Sequence, residues 1–116
     1  RQRVGSSMWL GRSTHSLEQA RIAMQQGADY IGFGPLHATA TKPGRAPIGY
    51  AEVAAMQQSV GEALPAFCIG GISPATLGAV LAAGARRVVM VSALLQAHDV
   101  VAAVRAVKRT LATSLP

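Results

Sequence analysis

The sequence predicts an α/β fold in which parallel strands alternate with helices. Four short apolar runs are almost uninterrupted, as expected of strands buried on both faces of a parallel sheet; they span residues 8–11, 30–34, 66–70 and 87–91. Helix-like segments lie between them, and two of these segments end on Gly-Ala shortly before the next strand. This alternation is typical of two architectures, the open doubly wound sheet and the (β/α)8 barrel.

Start and stop signals define the helices. Ser16 precedes LEQARIAMQQ, and Gln19 completes a capping-box pattern three residues later. Gly27 is expected to end this helix in a left-handed conformation. The same signals recur after the third strand, where Ser73 is followed by proline and Gly84 ends the helix.

The length and composition suit one domain. The chain has 116 residues, of which 50% are apolar, so residues 1–116 are expected to form a single domain. Two further helices are predicted, one over about residues 50–60 and a last one that Asp99 caps at its start. Because the sequence begins with Arg1 and with helix-like text, its N-terminus is interpreted as the cut end of a longer chain.

Charge and residue usage exclude several classes of function. The net charge of +6 favours anionic ligands such as phosphates. The basic residues are scattered and aromatic residues are few, so no nucleic-acid partner is expected. No run of eighteen apolar residues and no signal-peptide pattern occurs, which indicates neither membrane nor secretion and makes the cytoplasm the expected compartment. The single cysteine, Cys68, lies in an apolar strand and is interpreted as an inert buried thiol.

The loops after the third and fourth strands predict a phosphate site. Gly70 and Gly71 end the third strand directly before Ser73 at a helix start, so bare backbone and free helix N–H groups can face an anion. Val91 and Ser92 end the fourth strand, and neighbouring loops of this kind share one phosphate in many barrels. The alternative is that the glycines form only a tight turn and that Ser92 is only a helix cap.

The loop after the second strand reads GPLHATATKPG at residues 34–44. Thr39 and Thr41 share one side of an extended loop, and Lys42 adds a cation beside them. This set can hydrogen-bond an anion from two sides, although loops are generally polar and the segment could simply be solvated.

The histidines differ in their setting. Ser13 and His15 stand two residues apart in GRSTHS, so they can face one cavity after the first strand. His15 could act as a general acid or base, donate a hydrogen bond to an anion, or simply pack. His37 and His98 have no evident partner in the sequence and are interpreted as structural.

Four segments together resemble the second half of thiamine phosphate synthase, a (β/α)8-barrel enzyme. They are GRSTHSLEQA, GADYIGFGPLHATATKPG, AFCIGGIS and AGARRVVMVSAL, and the likeness extends from about Met8 to Lys108. It implies an α/β fold of the (β/α)8 TIM-barrel type, of which this chain would be the C-terminal half, with about four parallel strands each followed by a helix. It also implies a transferase that joins hydroxymethylpyrimidine diphosphate to thiazole phosphate, forming thiamine phosphate and diphosphate in thiamine biosynthesis.

The resemblance also implies roles for individual residues. Lys42 and Ser13 would bind the pyrimidine diphosphate and, with His15, are the candidate catalytic residues. The other candidate substrate-binding residues belong to the loops after the second, third and fourth strands: Thr39, Ala40, Thr41, Gly70, Gly71, Val91 and Ser92. The two threonines would contact the thiazole phosphate, and backbone amides of the later loops would hold its phosphate group. The family uses Mg²⁺, whose ligands lie in the first half of the barrel, so no metal ligand is expected in this chain.

Two alternative functions remain open. Thiazole tautomerase, a close relative, shares GRS-x-HS and the phosphate site but uses the histidine for proton transfer, which would make His15 catalytic; the TATK loop favours the synthase. The second alternative is a non-catalytic half-barrel that keeps only the phosphate site. As an isolated fragment the chain is expected to be inactive. Because four strands cannot close a barrel, it is also expected to expose two strand edges and an apolar face and to form dimers or aggregates. Its expected partners are small phosphorylated substrates and either a missing N-terminal half-barrel or further copies of itself in a homo-oligomer.

Overall fold

A computed structural model describes residues 7–38 and 46–114 and contains one parallel four-stranded sheet. The strands lie side by side in chain order, each parallel to its neighbours: β1 Gly11–Thr14, β2 Tyr30–Phe33, β3 Ala66–Cys68 and β4 Arg87–Val88. The helices are α1 Leu17–Gln25, α2 Val53–Met56, which continues as a π-helix at Gln57–Gly61, α3 Pro74–Ala82, α4 Ser92–Leu95 and α5 Val100–Ser114. The predicted alternation of parallel strands with helices is therefore confirmed, with α4 as an additional short helix.

The predicted position of the first strand is wrong. The apolar run at residues 8–11 largely precedes β1, and Met8 and Trp9 are 60% and 85% exposed. The strand instead begins at Gly11 and continues through GRST, which the sequence pattern assigns to a loop. The strand begins at Gly11 because pairing with β2 begins there, with Gly11 opposite Tyr30. Glycine suits this position, since a side chain on it would collide with the tyrosine ring. Hydrogen bonding between β1 and β2, rather than the local run of apolar residues, therefore decides where β1 lies.

The ends of α1 agree with the sequence signals. The Ser16 hydroxyl accepts a hydrogen bond from the Gln19 N–H at 3.1 Å. The reciprocal bond of the predicted capping box is displaced by one residue, because the Gln19 side chain accepts from the backbone N–H of His15. Gly27 follows the helix with φ 88°, the left-handed conformation expected of a helix stop.

The later helices also start and stop where predicted. Ser73 and Thr76 form a complete capping box at the start of α3, and Gly84 follows its end with φ 117°. Asp99 accepts a hydrogen bond from the Ala102 N–H and so caps α5. The helix predicted at residues 50–60 begins at Val53, as α2, and extends through its π-helical continuation to Gly61. No helix in the described part of the chain is long and apolar enough to cross a membrane.

The two faces of the sheet differ in what covers them. One face, the helix-covered face, consists of Ile31, Phe33, Ala66 and Cys68, all of them buried. These side chains pack with apolar residues of the helices, which include Ala20, Ala23, Val53, Met56, Val60, Leu77 and Val80. The predicted burial of Cys68 is confirmed, and this burial raises the pKa of its thiol to about 11, which disfavours the reactive thiolate.

The opposite face, the open face, carries residues in alternate register with the first set. Gly32, Phe67 and Arg87 lie opposite one another across β2, β3 and β4, and Tyr30 lies on the same side of β2. The Tyr30 and Phe67 rings meet edge to face with centroids 6.3 Å apart. Tyr30 remains 43% exposed, so among the described residues no helix covers this face as the other face is covered.

Candidate functional site

A cavity of about 320 Å³ lies at the carboxyl ends of the strands. Parallel sheets bring the loops that follow their strands to one edge, so this is where both architectures considered above would bind a ligand. The cavity is lined by residues of β1 and β2 and by the segments that follow all four strands: Ser13, Thr14, His15, Gly32, Gly34, Pro35, Ile69, Gly70, Gly71, Ile72, Ser73, Val89, Val91, Ser92 and Ala93.

Six of the residues predicted for the site line this one cavity. They come from three separate loops: Ser13, His15, Gly70, Gly71, Val91 and Ser92. The remaining four predicted residues, Thr39, Ala40, Thr41 and Lys42, lie outside the described residues. The structure thus brings together residues that are up to 79 positions apart in the sequence, from Ser13 to Ser92.

The end of β1 alternates between the interior and the cavity. Thr14 is buried, and its hydroxyl donates to the Gly32 carbonyl at 2.7 Å, which ties β1 to β2. Ser13 is exposed and lines the cavity. The His15 ring lines the cavity as well, and its Nδ1 lies 2.7 Å from the Gly34 carbonyl oxygen. Since a carbonyl only accepts, this contact requires the proton on Nδ1 and fixes the orientation of the imidazole.

The Gly70-Gly71 turn places bare backbone in the cavity wall. Both residues have positive φ, 107° and 63°, which disfavours any other L-residue. Side chains are also excluded by contact: a Cβ at Gly70 would lie 2.5 Å from the Pro35 Cα, and one at Gly71 would lie 2.7 Å from the His37 Cβ. Within residues 7–38 and 46–114, the structure gives the Gly71 N–H no hydrogen-bond acceptor.

The start of α3 offers fewer donors than the sequence predicts. The expectation of free N–H groups there is wrong for two residues, because the Ser73 N–H donates to the Thr76 hydroxyl and the Thr76 N–H donates to Ser73. Pro74 has no N–H at all. The capping box therefore uses two of the N–H groups at the start of the helix. The turn before it supplies another, that of Gly71, which has no acceptor among the described residues.

In the loop after β4, Ser92 does not cap the following helix, which was the alternative that the sequence left open. Ser92 is the first residue of α4, and Val91 holds the cap position without a side-chain hydrogen bond. Ser92 is therefore not the cap of this helix. Both residues are exposed in the cavity wall, beside the turn that follows β3.

Sequence reasoning missed a histidine contact beside the site. His37, interpreted from the sequence as structural with no evident partner, has two: its Nδ1 lies 2.8 Å from the Gly70 carbonyl oxygen, and its Nε2 contacts the Tyr50 hydroxyl. The two rings also meet edge to face, with centroids 5.2 Å apart. Tyr50 is 13 positions away, on the far side of the Thr39–Lys42 segment, so no local pattern could reveal the pair. His98 is exposed.

Carboxylates are held away from the cavity. Asp29 accepts a hydrogen bond from the Leu10 N–H at 2.7 Å, at the start of β2, and Asp99 caps α5. The residues that line the cavity include no Asp or Glu. In the described part of the chain, no group of three or more His, Cys, Asp or Glu side chains is placed to hold a metal ion.

Comparisons with known proteins agree on one family. The model of the thiamine monophosphate synthase family matches residues 1–94. The thiamine-phosphate synthase of Thermus thermophilus is 47% identical over 102 residues, which are 88% of this chain and 49% of that protein. The enzyme of the same name from Synechococcus sp. (strain CC9311) is 46% identical over 112 residues, 97% of this chain and 31% of that protein.

Solved structures give the same result for the fold. A thiamine phosphate pyrophosphorylase from Pyrococcus furiosus superimposes with a TM-score of 0.83 and 29% identity, over 99% of this chain and 54% of that one. A structure titled "Native KDPGal structure" superimposes with a TM-score of 0.60 at 20% identity, a likeness of fold alone.

These matches decide between the two architectures. The four-stranded sheet corresponds to part of a barrel of the (β/α)8 type, which confirms the predicted fold class. The chain spans about half the length of the Thermus relative and less than a third of the Synechococcus one. With the family model matching most of its length, the chain belongs to the thiamine monophosphate synthase family.

Proposed function

We propose that this chain supplies the phosphate-binding half of a thiamine phosphate synthase. The reaction would join hydroxymethylpyrimidine diphosphate to thiazole phosphate, giving thiamine phosphate and diphosphate. One observation carries the proposal: a single cavity collects Ser13 from the end of β1, the Gly70-Gly71 turn after β3, and Ser92 after β4. The membership of the family supports the same reading.

The phosphate group of the thiazole substrate would bind between the third and fourth loops. The Gly71 N–H has no acceptor among the described residues and belongs to a turn whose bare backbone a phosphate oxygen can approach closely. Val91 and Ser92 would contribute backbone amides from the neighbouring loop. Thr39 and Thr41 would contact the same substrate, as the resemblance implies.

The second substrate would bind toward β1. In the proposed step the bond between the pyrimidine methylene carbon and the diphosphate oxygen breaks, and its electron pair leaves with the diphosphate. The thiazole nitrogen then donates its lone pair to the cation-like methylene carbon. Ser13 and Lys42 would stabilise the departing negative charge, which is the largest electrostatic demand of this step.

No covalent nucleophile is required by this scheme. Cys68, the one cysteine of the chain, is not placed to act as a nucleophile, because it is buried on the helix-covered face, which raises the pKa of its thiol to about 11. The contribution of the chain would be the positioning of two phosphorylated substrates in line and the stabilisation of charge.

The family resemblance implies Mg²⁺, and the described residues do not fit it. Mg²⁺ prefers oxygen ligands, usually carboxylates, and no carboxylate of the described part lines the cavity. The ligands would have to come from elsewhere, so we assign this chain no step through the metal.

We also propose that the sheet has a partner along its edges. In the described part of the chain, β1 and β4 each pair on one side only, and a closed barrel requires about eight strands. The complement would be either an N-terminal half-barrel or a second copy of this chain. Residues 1–116 as one domain and the cytoplasm as its compartment remain predictions.

A hybrid enzyme tests the synthase proposal. The part of the Thermus thermophilus synthase that precedes the matched region would be joined to this chain, and formation of thiamine phosphate from the two substrates would be measured. Lys42→Ala should lower turnover by about a hundredfold or more, because one preorganised charge contact is lost. Lys108→Ala, a change of an exposed lysine on α5, is the matched control and should have no effect. A soluble, folded hybrid that forms no thiamine phosphate would refute the proposal.

Thiazole tautomerase activity is the second candidate, and the position of His15 favours it. The ring lines the cavity and is oriented by the Gly34 carbonyl, as a proton-transfer group would need to be. A tautomerase should lose about a hundredfold to ten-thousandfold in rate on His15→Ala, since it loses its acid or base. The synthase should be affected much less by the same change. Assaying both reactions on both variants, His15→Ala and Lys42→Ala, separates the two functions.

A further inference from the structure

Beside the cavity, His37 joins two loops that the proposed function uses. Its ring contacts the Gly70 carbonyl through Nδ1 and the Tyr50 hydroxyl through Nε2. Because the carbonyl can only accept, Nδ1 donates to it, and Nε2 shares the second hydrogen bond with the tyrosine hydroxyl. We call these two residues, with their contact to Gly70, the His37–Tyr50 clasp.

The clasp spans the segment that carries Thr39, Thr41 and Lys42 in the sequence. His37 precedes this segment and Tyr50 follows it. Backbone bonds strengthen the same connection, since the Ile48 N–H donates to the Pro35 carbonyl at 2.8 Å. The two ends of the segment are therefore held together next to the turn after β3.

The contact with Gly70 has a direct consequence for the neighbouring amide. The Gly70 carbonyl accepts twice from His37, from its backbone N–H at 3.1 Å and from Nδ1 at 2.8 Å. The C=O of Gly70 and the N–H of Gly71 belong to one planar trans peptide unit and therefore point in opposite directions. Holding the carbonyl toward His37 directs the Gly71 N–H away from it.

That direction agrees with the placement of the cavity. Gly70 and Gly71 line the cavity, whereas His37, which contacts the Gly70 carbonyl, does not. Two bonds to one carbonyl restrict rotation of a peptide flanked by glycines, whose backbone is otherwise the least restricted of any residue. The turn is thus held in one orientation before any ligand binds.

From this geometry we infer that His37 is a positioning residue for anion binding, acting through the Gly70-Gly71 peptide. It does not touch the ligand. It holds the Gly71 N–H toward the cavity, so that binding of a phosphate group does not require ordering of the turn. This inference rests on the proposed function, in which that N–H binds the substrate phosphate.

Inorganic phosphate titrated into the ¹⁵N-labelled chain tests the inference, with the amide signal of Gly71 as the reporter. In the unaltered chain the Gly71 amide should shift with phosphate. In His37→Phe, which keeps an aromatic ring but loses both ring hydrogen bonds, the phosphate Kd should rise about tenfold, the worth of roughly one hydrogen bond. His98→Phe is the matched control and should leave the Kd unchanged, because His98 is exposed.

Two milder variants separate positioning from a general loss of folding. His37→Asn keeps a side-chain N–H close to the position of Nδ1, so it should restore the Kd to within about threefold of the original value. Tyr50→Phe removes only the hydroxyl that supports the ring, and it should raise the Kd by about threefold. If His37→Phe does not fold, these two variants carry the test, and equal phosphate affinity in Tyr50→Phe and the unaltered chain would overturn the inference.

The possible outcomes distinguish this inference from the proposed function. If phosphate leaves the Gly71 amide of the unaltered chain unmoved, the phosphate site is wrong and the inference is overturned with it. If phosphate shifts Gly71 equally in the unaltered chain and in folded His37→Phe, only the positioning role is overturned. The inference would also be overturned if His37→Phe weakened phosphate binding and His37→Asn weakened it equally, because the effect would then not depend on a side-chain donor to the Gly70 carbonyl.

Discussion

The two faces of the sheet are built from alternate residues of the same strands, yet their environments are opposite. Phe33 on β2 is fully buried under the helices, while Phe67 on the adjacent β3 lies on the open face. Ile31 and Cys68 share the setting of Phe33, and Tyr30 shares that of Phe67. The pleat of a strand alone produces this separation, since successive side chains point to opposite sides.

The difference teaches which part of the fold is self-sufficient. The helix-covered face has its apolar partners within the described residues, so its stability depends on contacts of this chain alone. The open face presents aromatic side chains that, in a closed barrel, would pack against strands from the other side. An isolated chain should therefore be stabilised through one face and should associate through the other.

The largest expected effect compares two phenylalanines. Phe33→Ala should lower the free energy of unfolding by about 3–5 kcal/mol, because it removes a fully buried ring and leaves a cavity. Phe67→Ala, the matched change on the open face, should cost about 1 kcal/mol or less. Urea unfolding of both variants measures the difference. Similar losses in the two variants would mean that the faces are equally covered in solution.

The next effect concerns the pH dependence of stability through Cys68. Burial raises the pKa of this thiol from 9.0 to about 11, so the folded state holds the proton more tightly than the unfolded state does. The associated stability is fully present below pH 9 and is lost as the pH rises towards 11, for a total of about 2–3 kcal/mol. The free energy of unfolding, plotted against pH, should fall more steeply over that range for the unaltered chain than for Cys68→Ala.

Other groups titrate in the same range but are common to both proteins, so only the difference in slope reports on Cys68. If the free energies of unfolding of the two proteins changed in parallel from pH 8 to pH 11, the thiol would not be buried in solution. Slow reaction of the folded chain with a thiol reagent, made fast by unfolding, would support it independently.

The smallest expected effect concerns association through the open face. The chain should form dimers or larger species, and Tyr30→Glu should raise the dissociation constant about tenfold, because it places a charge in an apolar interface. Ile22→Glu on α1 is the matched control, since Ile22 and Tyr30 are similarly exposed, 40% and 43%. Sedimentation velocity measures both. A monomer at all concentrations, or equal weakening by both changes, would show that the open face is not the associating surface.

Much of the fold could be predicted because its signals are short-range. Ser16 caps α1 through a bond to Gln19, three residues away, and Ser73 caps α3 through Thr76 at the same spacing. The glycines that end these helices act through their own backbone conformation. The sequence could likewise point to the loops of the site, because parallel strands bring their carboxyl ends to one edge.

Other features could not be predicted from any local pattern. The true start of β1 depends on pairing between Gly11 and Tyr30, which are 19 positions apart, and this pairing turned a polar segment into a strand. The His37 contacts were missed for the same reason, since Gly70 is 33 positions away. The donors at the start of α3 were misjudged, although the capping pair there is local, because the sequence does not show which N–H groups a cap consumes.

The sequence by itself therefore determined the order of strands and helices, the helix ends and the set of loops that approach one edge, because residues within one turn of each other decide those features. Only the tertiary structure decided which residues of β1 enter the sheet, which face the helices cover, and how the Gly70-Gly71 peptide is oriented beside the cavity. Those features depend on hydrogen bonds and contacts between segments that are remote in the chain, and such partners are chosen only when the chain is folded.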